Sequence, residues 1–209
     1  MPPSPADHRE QFLAAFPVSR ETEARLERFA DMLTERNYTL SLVADSTLDQ
    51  IWTRHFLDSA QLLPLIPDPE NSVVDMGAGP GFPGLVLAIL GLPRVHLVEN
   101  NMQKAGFLNA VIADLALPVT VHAMKVEAVR PFTAGVVTAR ALKPLTQLIG
   151  MGRKFLGDGS VCVFPKGRRA AEELAAADRD WSMTVECFQS LTDPESTIFR
   201  LSHVKESRA

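Results

Sequence analysis

Only two cysteines, Cys162 and Cys187, occur in 209 residues. They are too few and too far apart for a zinc-binding pair or a disulfide scaffold, and no metal site is expected. Both lie in apolar stretches, Val161-Cys162-Val163-Phe164 and Val185-Glu186-Cys187-Phe188. Such placement suits thiols packed as small hydrophobes in a reducing compartment. Long hydrophobic runs are missing too. The strongest, Leu85–Leu92, is far short of the ~20 residues that a membrane-spanning helix needs. The first ten residues hold three prolines and no apolar core of a secretion signal. Residues 1–10 are therefore expected to lack fixed structure, and the chain to be cytoplasmic with no membrane partner. No internal repeat is visible.

Apolar residues make up 46% of the chain and charged residues 22%, enough to bury a core without cross-links. A net charge of −4 argues against a general polyanion-binding surface. The distribution is uneven, however. Between Arg130 and Arg169 there are eight basic residues against one acid, Asp158, a net of +7 that leaves −11 for the remainder. An acidic body with one basic sector can meet a polyanion on one face, or the clustering can be a set of solvated helix faces.

Ser19 is placed to cap a helix running to about Arg36, with Leu26, Phe29 and Leu33 on one stripe. Ser46 with Asp49 resembles a capping box for a second helix bearing Leu48, Ile51, Trp52 and Phe56. Pro64 to Asn71 reads as a linker, so residues 11–68 are expected to form a helical cap. From residue 69 to 205 the pattern changes. Short apolar runs at Val73-Val74, Val95–Val98, Val119–His122, Val136–Thr138 and Val161–Phe164 alternate with helix-compatible segments. That alternation implies βαβ units and an α/β, doubly wound, mostly parallel sheet. Two last runs, 181–188 and 197–204, are expected to form an antiparallel hairpin at the sheet edge.

The first strand leads into Asp75-Met76-Gly77-Ala78-Gly79-Pro80-Gly81-Phe82-Pro83-Gly84 and then an apolar helix. A Gly-rich strand-to-helix turn at this place in a doubly wound sheet binds ligands, and alone it would suit a dinucleotide as well. Asp75 shifts the balance. A carboxylate before the turn repels a pyrophosphate, since like charges ~4 Å apart cost about 4 kcal/mol at an effective dielectric of 20. A ligand with an ammonium group and no phosphate, such as S-adenosylmethionine, is favoured. Glu99 closes the second strand and can accept hydrogen bonds from a ribose diol.

At these residues the sequence resembles the class I methyltransferases, and more closely the RsmG (GidB) family of bacterial small-subunit ribosomal RNA methyltransferases acting on guanine N7. The matching strings are Arg54-His55-Phe56-Leu57-Asp58-Ser59, Val74-Asp75 through Gly84, and Leu97-Val98-Glu99-Asn100 with Lys104. Val126-Glu127, Thr138-Ala139-Arg140-Ala141 and Phe164-Pro165-Lys166-Gly167 follow in family order over roughly residues 37–175. The resemblance implies a Rossmann-like methyltransferase sheet and S-adenosyl-L-methionine as cofactor. Its contacts would fall at Gly77, Phe82, Glu99, Val126, Glu127 and Arg140, with Asp75, Gly79, Gly81 and Asn100 beside them. The partner implied is 16S ribosomal RNA in the small ribosomal subunit or its precursor, methylated in the decoding-site loop. Some positions depart from the family pattern. Glu99-Asn100 replaces a common Asp-Ser, Ala105 follows Lys104 where Arg is common, and Ser41 stands where Asn is common.

Methyl transfer from a sulfonium is an in-line displacement that mainly needs alignment. An exocyclic amine target commonly goes with an Asn/Asp-Pro-Pro-aromatic string after the fourth strand, where this chain has Thr138-Ala139-Arg140-Ala141. Pyrimidine C5 needs an activated thiolate, and Cys162 is mid-strand. Guanine N7 needs neither. Arg140 is the candidate positioning residue, holding a cofactor carboxylate or a substrate oxygen or phosphate; a structural ion pair with Glu127 or Asp75 is the bland alternative. Candidate RNA contacts are Lys104, Lys143, Lys166, Arg168, Arg169, Arg54 and His55. Cations at a helix start oppose its dipole, so local folding does not explain Lys166, Arg168 and Arg169. Arg54 and Asp58 could simply pair with each other, and Lys104 could merely cover its helix. Two rivals remain: a small-molecule methyltransferase, and a nucleotide-binding regulatory module without catalysis.

Overall fold

The computed structural model describes residues 4–207. Helix α1, Pro5–Ala15, opens on a capping box in which Ser4 and Asp7 exchange hydrogen bonds. This corrects the expectation for residues 5–10, while residues 1–3 lie outside the described residues. Pro5 serves the first helical turn, where a missing N–H costs nothing. Phe12, fully buried, then anchors the helix on Trp52 at a ring separation of 5.3 Å.

Helix α2, Arg20–Leu40, starts at Ser19, whose Oγ accepts the Thr22 N–H. It buries Leu26, Phe29 and Leu33 on one stripe, and runs past the expected end because Asn37 is buried with them. The Asn37 side chain accepts the Val43 N–H and donates to Asp45, which folds the next loop back.

The second helix differs from expectation. Ser46 makes no capping bond; Asp45–Gln50 is a 3-10 turn, Trp52–Leu57 is a wide π turn, and α3 is only Asp58–Ala60. Buried His8 of α1 bonds Thr53 at 2.9 Å, and Trp52 and Phe56 both point into the core. Side chains of the π turn thus reach two sides at once, a device common near functional sites.

Seven strands follow: β1 Val73–Met76, β2 Val95–Val98, β3 Val119–His122, β4 Val136–Thr138, β5 Val161–Lys166, β6 Trp181–Gln189 and β7 Thr197–Glu206. Their order is 3-2-1-4-5-7-6. The first five are parallel, and β7 runs antiparallel between β5 and β6. The expected C-terminal hairpin is present, with β6 at the edge. Strands β1 to β5 are short and, β3 apart, nearly all buried, as strands covered on both faces are. One face carries α4 (Gly84–Ile89), α5 (Met102–Asp114) and the N-terminal helices; the other carries α6 (Leu145–Gly152) and α7 (Ala170–Ala177). Phe29 stacks on Phe56 and Phe107 and lies 5.5 Å from Phe82. The N-terminal helices therefore share one core with the sheet. The order reverses between β1 and β4, which opens a crevice at their carboxyl ends.

Candidate active site

The turn after β1 is held by its neighbour strand: Gly77 and Ala78 both donate to the Val98 carbonyl, at 2.8 and 3.0 Å. Gly77 has φ +70°, and a Cβ there would lie 2.7 Å from Leu142. The positive φ is what favours glycine here, since the Leu142 contact is with the end of a flexible side chain that can turn aside. Glu99, 6% exposed, reaches back across the turn. One carboxylate oxygen accepts the Gly79 N–H at 2.9 Å and the other accepts the Asn101 N–H at 2.7 Å. Asn101 in turn caps α5 by accepting from Gln103 and Lys104. Its role was readable as an N-cap before a helix, though Asn100 drew attention instead; Asn100 is exposed at the mouth.

Asp75 is wholly buried. Its Oδ2 accepts the Gly84 N–H at 2.8 Å, while Oδ1 has no hydrogen-bond partner among the described residues. Burial pushes its carboxyl up to about 7, against the pull of the Gly84 bond and the Arg140 charge. A part-protonated, enclosed carboxyl is a weak repeller of phosphate. Asp75 thus puts less negative charge before the turn than the sequence alone suggests.

Two clefts flank the loop 139–144. The first, about 290 Å³, is lined by Gly77, Val98, Asn100, Val126, Glu127 and Leu142. The second, about 430 Å³, is lined by Asp58, Arg140, Lys143, Pro165, Lys166 and Ser196 among others. Leu142 and Lys143 line both clefts, so this loop is the wall between them.

Arg140 is not paired with Glu127 or Asp75. Its guanidinium lies 4.8 Å over the Phe82 ring. Nη1 donates to Asp58 at 3.2 Å and to the Arg54 carbonyl at 3.3 Å, and Nη2 donates to His55 Nδ1 at 3.0 Å. Asp58 thus serves Arg140 and not Arg54, whose side chain is exposed. The other Asp58 oxygen accepts from Thr192 and Gln61, and Gln61 also accepts the Leu191 N–H. Gln61, Ser190 and Thr192 escaped sequence reasoning, since their partners are about 130 residues apart. A buried Gln among leucines was the one available sign. Phe82 is buried beneath Arg140 and His55, stacking on the imidazole at 4.8 Å. Burial, with the Arg140 and Arg54 charges, drives the His55 pKa down to about 3, so the ring is neutral.

The basic candidates divide. Lys166 has a side chain only 8% exposed, paired with Glu173 at 2.9 Å and donating to the Lys143 carbonyl at 2.7 Å. Its ammonium pins the loop base, which removes it from the open phosphate contacts expected. Arg168 and Arg169 are each 78% exposed, paired at the surface with Glu195 and Glu172. Lys143 is exposed and Lys104 half-buried.

Residues 22–198 match the family model described as rRNA small subunit methyltransferase G. A protein named ribosomal RNA small subunit methyltransferase G from Rhodospirillum centenum is 48% identical over 202 residues, covering 97% of this chain and 94% of the relative. One of the same name from Paramagnetospirillum magneticum is 45% identical over 200 residues, covering 96% and 98%. Among solved structures, a ribosomal protein L11 methylase from Lactobacillus delbrueckii subsp. bulgaricus superposes with a TM-score of 0.56 at 12% identity, over 72% of this chain and 77% of that one. M. jannaschii TYW2, solved with AdoMet, gives 0.55 at 19% identity over 76% and 78%. Sequence and fold agree: the chain belongs to the rRNA small subunit methyltransferase G family.

Proposed function

We propose that this protein transfers a methyl group from S-adenosylmethionine to N7 of a guanine in the decoding-site loop of 16S ribosomal RNA, within the small subunit or its precursor. The observation that carries the donor site is Glu99: a carboxylate tied to the Gly79 N–H, beside a cleft floored by Gly77 and walled by Val126. Glu99 accepts from the ribose hydroxyls, and Val126 and Asn100 flank the adenine. Arg140, across the Leu142 wall, faces the carboxylate end. The donor supplies an electrophilic methyl on a sulfonium.

The wider cleft receives the guanine, an unpaired loop base of the kind that base-modifying enzymes take up. Its N7 lone pair attacks the methyl carbon as the carbon–sulfur bond breaks, and that electron pair stays on sulfur. The purine gains the positive charge and no proton leaves in the transfer. The residues agree with a base-free reaction. Both cleft carboxylates, Asp58 and Glu173, are occupied by Arg140, Thr192, Lys166 and the Leu145 N–H. The chain's work is alignment and exclusion of water. Lys143, Arg168 and Arg169 meet phosphates, and a cytoplasmic location follows from that substrate.

Reconstitution tests the proposal: small subunits from a gene-deletion strain are incubated with the protein and donor, then treated with borohydride and aniline, which cleave at 7-methylguanine. One new cleavage in the decoding-site loop is expected. A methylated RNA that resists cleavage refutes N7.

A further inference from the structure

We infer that His55 is a positioning residue, a neutral imidazole that fixes the Arg140 guanidinium so that one edge stays open to the donor's carboxylate. The inference rests on the proposed reading of Arg140 as a donor contact and adds how that contact is built. Hydrogen-bond directions settle the tautomer. A guanidinium only donates, so His55 Nδ1, 3.0 Å from Arg140 Nη2, must accept. The ring proton is then on Nε2, which donates to Thr47 Oγ1 at 2.9 Å, and the Thr47 hydroxyl donates onward to the Ala44 carbonyl at 2.7 Å. Every donor in this relay from Arg140 through His55 and Thr47 to the Ala44 carbonyl meets an acceptor. The ring is stacked on Phe82 at an interplanar angle of 14°, which fixes its plane as well.

The consequence appears on Arg140. Its Nη1 group is used twice, by Asp58 and the Arg54 carbonyl, and one Nη2 hydrogen goes to His55. The Nε–H and the second Nη2–H have no protein partner among the described residues. In a guanidinium the Nε–H and the Nη2–H beside it share one edge, the fork that binds a carboxylate through two parallel bonds, and we take His55 to hold the Nη2–H that faces Nη1. An aspartate or glutamate in place of His55 would compete for that edge by charge, and a protonated imidazole would repel the guanidinium. Burial and the neighbouring Arg140 and Arg54 charges keep the ring unprotonated. The π turn that carries Arg54 and His55 brings both groups to Arg140 from one element, with Asp58 directly following it.

A double-mutant cycle on the full chain tests this, with S-adenosylhomocysteine affinity read by calorimetry. His55→Ala and Arg140→Ala are each expected to weaken binding about tenfold, the order of one charge-assisted hydrogen bond. The double variant should bind no more weakly than Arg140→Ala, because His55 acts through Arg140. His55→Asn, whose side-chain oxygen accepts near the Nδ1 position, should restore affinity to within about threefold of wild type, and it also answers for any loss of folding in His55→Ala. Additive losses in the double variant, or no rescue by Asn, overturn the inference. If Arg140→Ala weakens binding and His55→Ala does not, positioning alone is refuted. If Arg140→Ala binds as wild type does, the Arg140 reading and the inference fall together.

Discussion

Gly84 gives its backbone N–H to Asp75 Oδ2 at 2.8 Å, and the closeness of that contact leaves no room for a side chain on Gly84. A Cβ there would meet the same oxygen at 2.8 Å and overlap Leu97. Both obstacles are buried, and Leu97 belongs to β2, an inner strand of the sheet. Gly84→Ala is expected to cost about 3 kcal/mol of stability by overpacking, read as a lower urea midpoint with an unchanged slope. A midpoint equal to wild type contradicts the packing described.

Asp75 should leave a signature in the pH dependence of stability. Its folded pKa is raised by burial from 3.8 to about 7, the reverse of the usual carboxylate case. Between those values the native state holds a proton that the unfolded state has lost, so this group's contribution falls as pH rises and levels off above about 7. Asp75→Asn removes the titration. The variant should gain stability relative to wild type by a few kcal/mol between pH 4 and pH 8, measured by denaturant midpoints at several pH values. A constant difference across that range means that Asp75 is ionised throughout.

Lys166 and its neighbours Arg168 and Arg169 should separate into a folding role and a docking role. Lys166→Ala strands Glu173 and unpins the Lys143 carbonyl. The expected loss is about 2 kcal/mol, below that of a wholly buried pair because Glu173 keeps contact with water. Arg168→Ala with Arg169→Ala should change stability by no more than about 0.5 kcal/mol. The arginine pair should instead flatten the salt dependence of RNA binding, by roughly 1–2 in the log–log slope. An unchanged slope removes both arginines from the phosphate contacts.

The two thiols should behave differently and neither should matter to the reaction. Burial drives the Cys162 thiol up to about 12, whereas Cys187 is exposed on β6. Mass spectrometry after iodoacetamide treatment of native protein should find one modified site, Cys187, with Cys162 reacting only after unfolding. Cys187→Ser should retain full methylation. Loss of activity in that variant would bring back a thiolate mechanism.

Much of this was legible in the chain because it is local. Valine runs, the Gly-rich turn and the carboxylate closing β2 are each complete within a few residues, and together they place the crevice. The missed parts are contacts between distant segments. Asp58 and Arg140 are 82 residues apart, so the helical spacing from Arg54 to Asp58 suggested the wrong pair. Lys166 stands in a run that reads as exposed charge, and only the return of α7 with Glu173 shows that it is enclosed. The π turn at Trp52–Leu57 packs against α1 through Trp52 and Thr53, yet its residues show only an ordinary helical pattern of apolar positions. Pro5 looked like a mark of disorder and is a helix start.

The donor site itself is tested most directly by one calorimetric comparison, S-adenosylhomocysteine and NAD titrated into the wild type and Glu99→Ala. The wild type should bind S-adenosylhomocysteine at one site and NAD not at all, and Glu99→Ala should lose at least about tenfold in affinity, as when a hydrogen-bonded carboxylate is removed. Binding of NAD at that site, or an alanine variant as tight as wild type, would contradict the account.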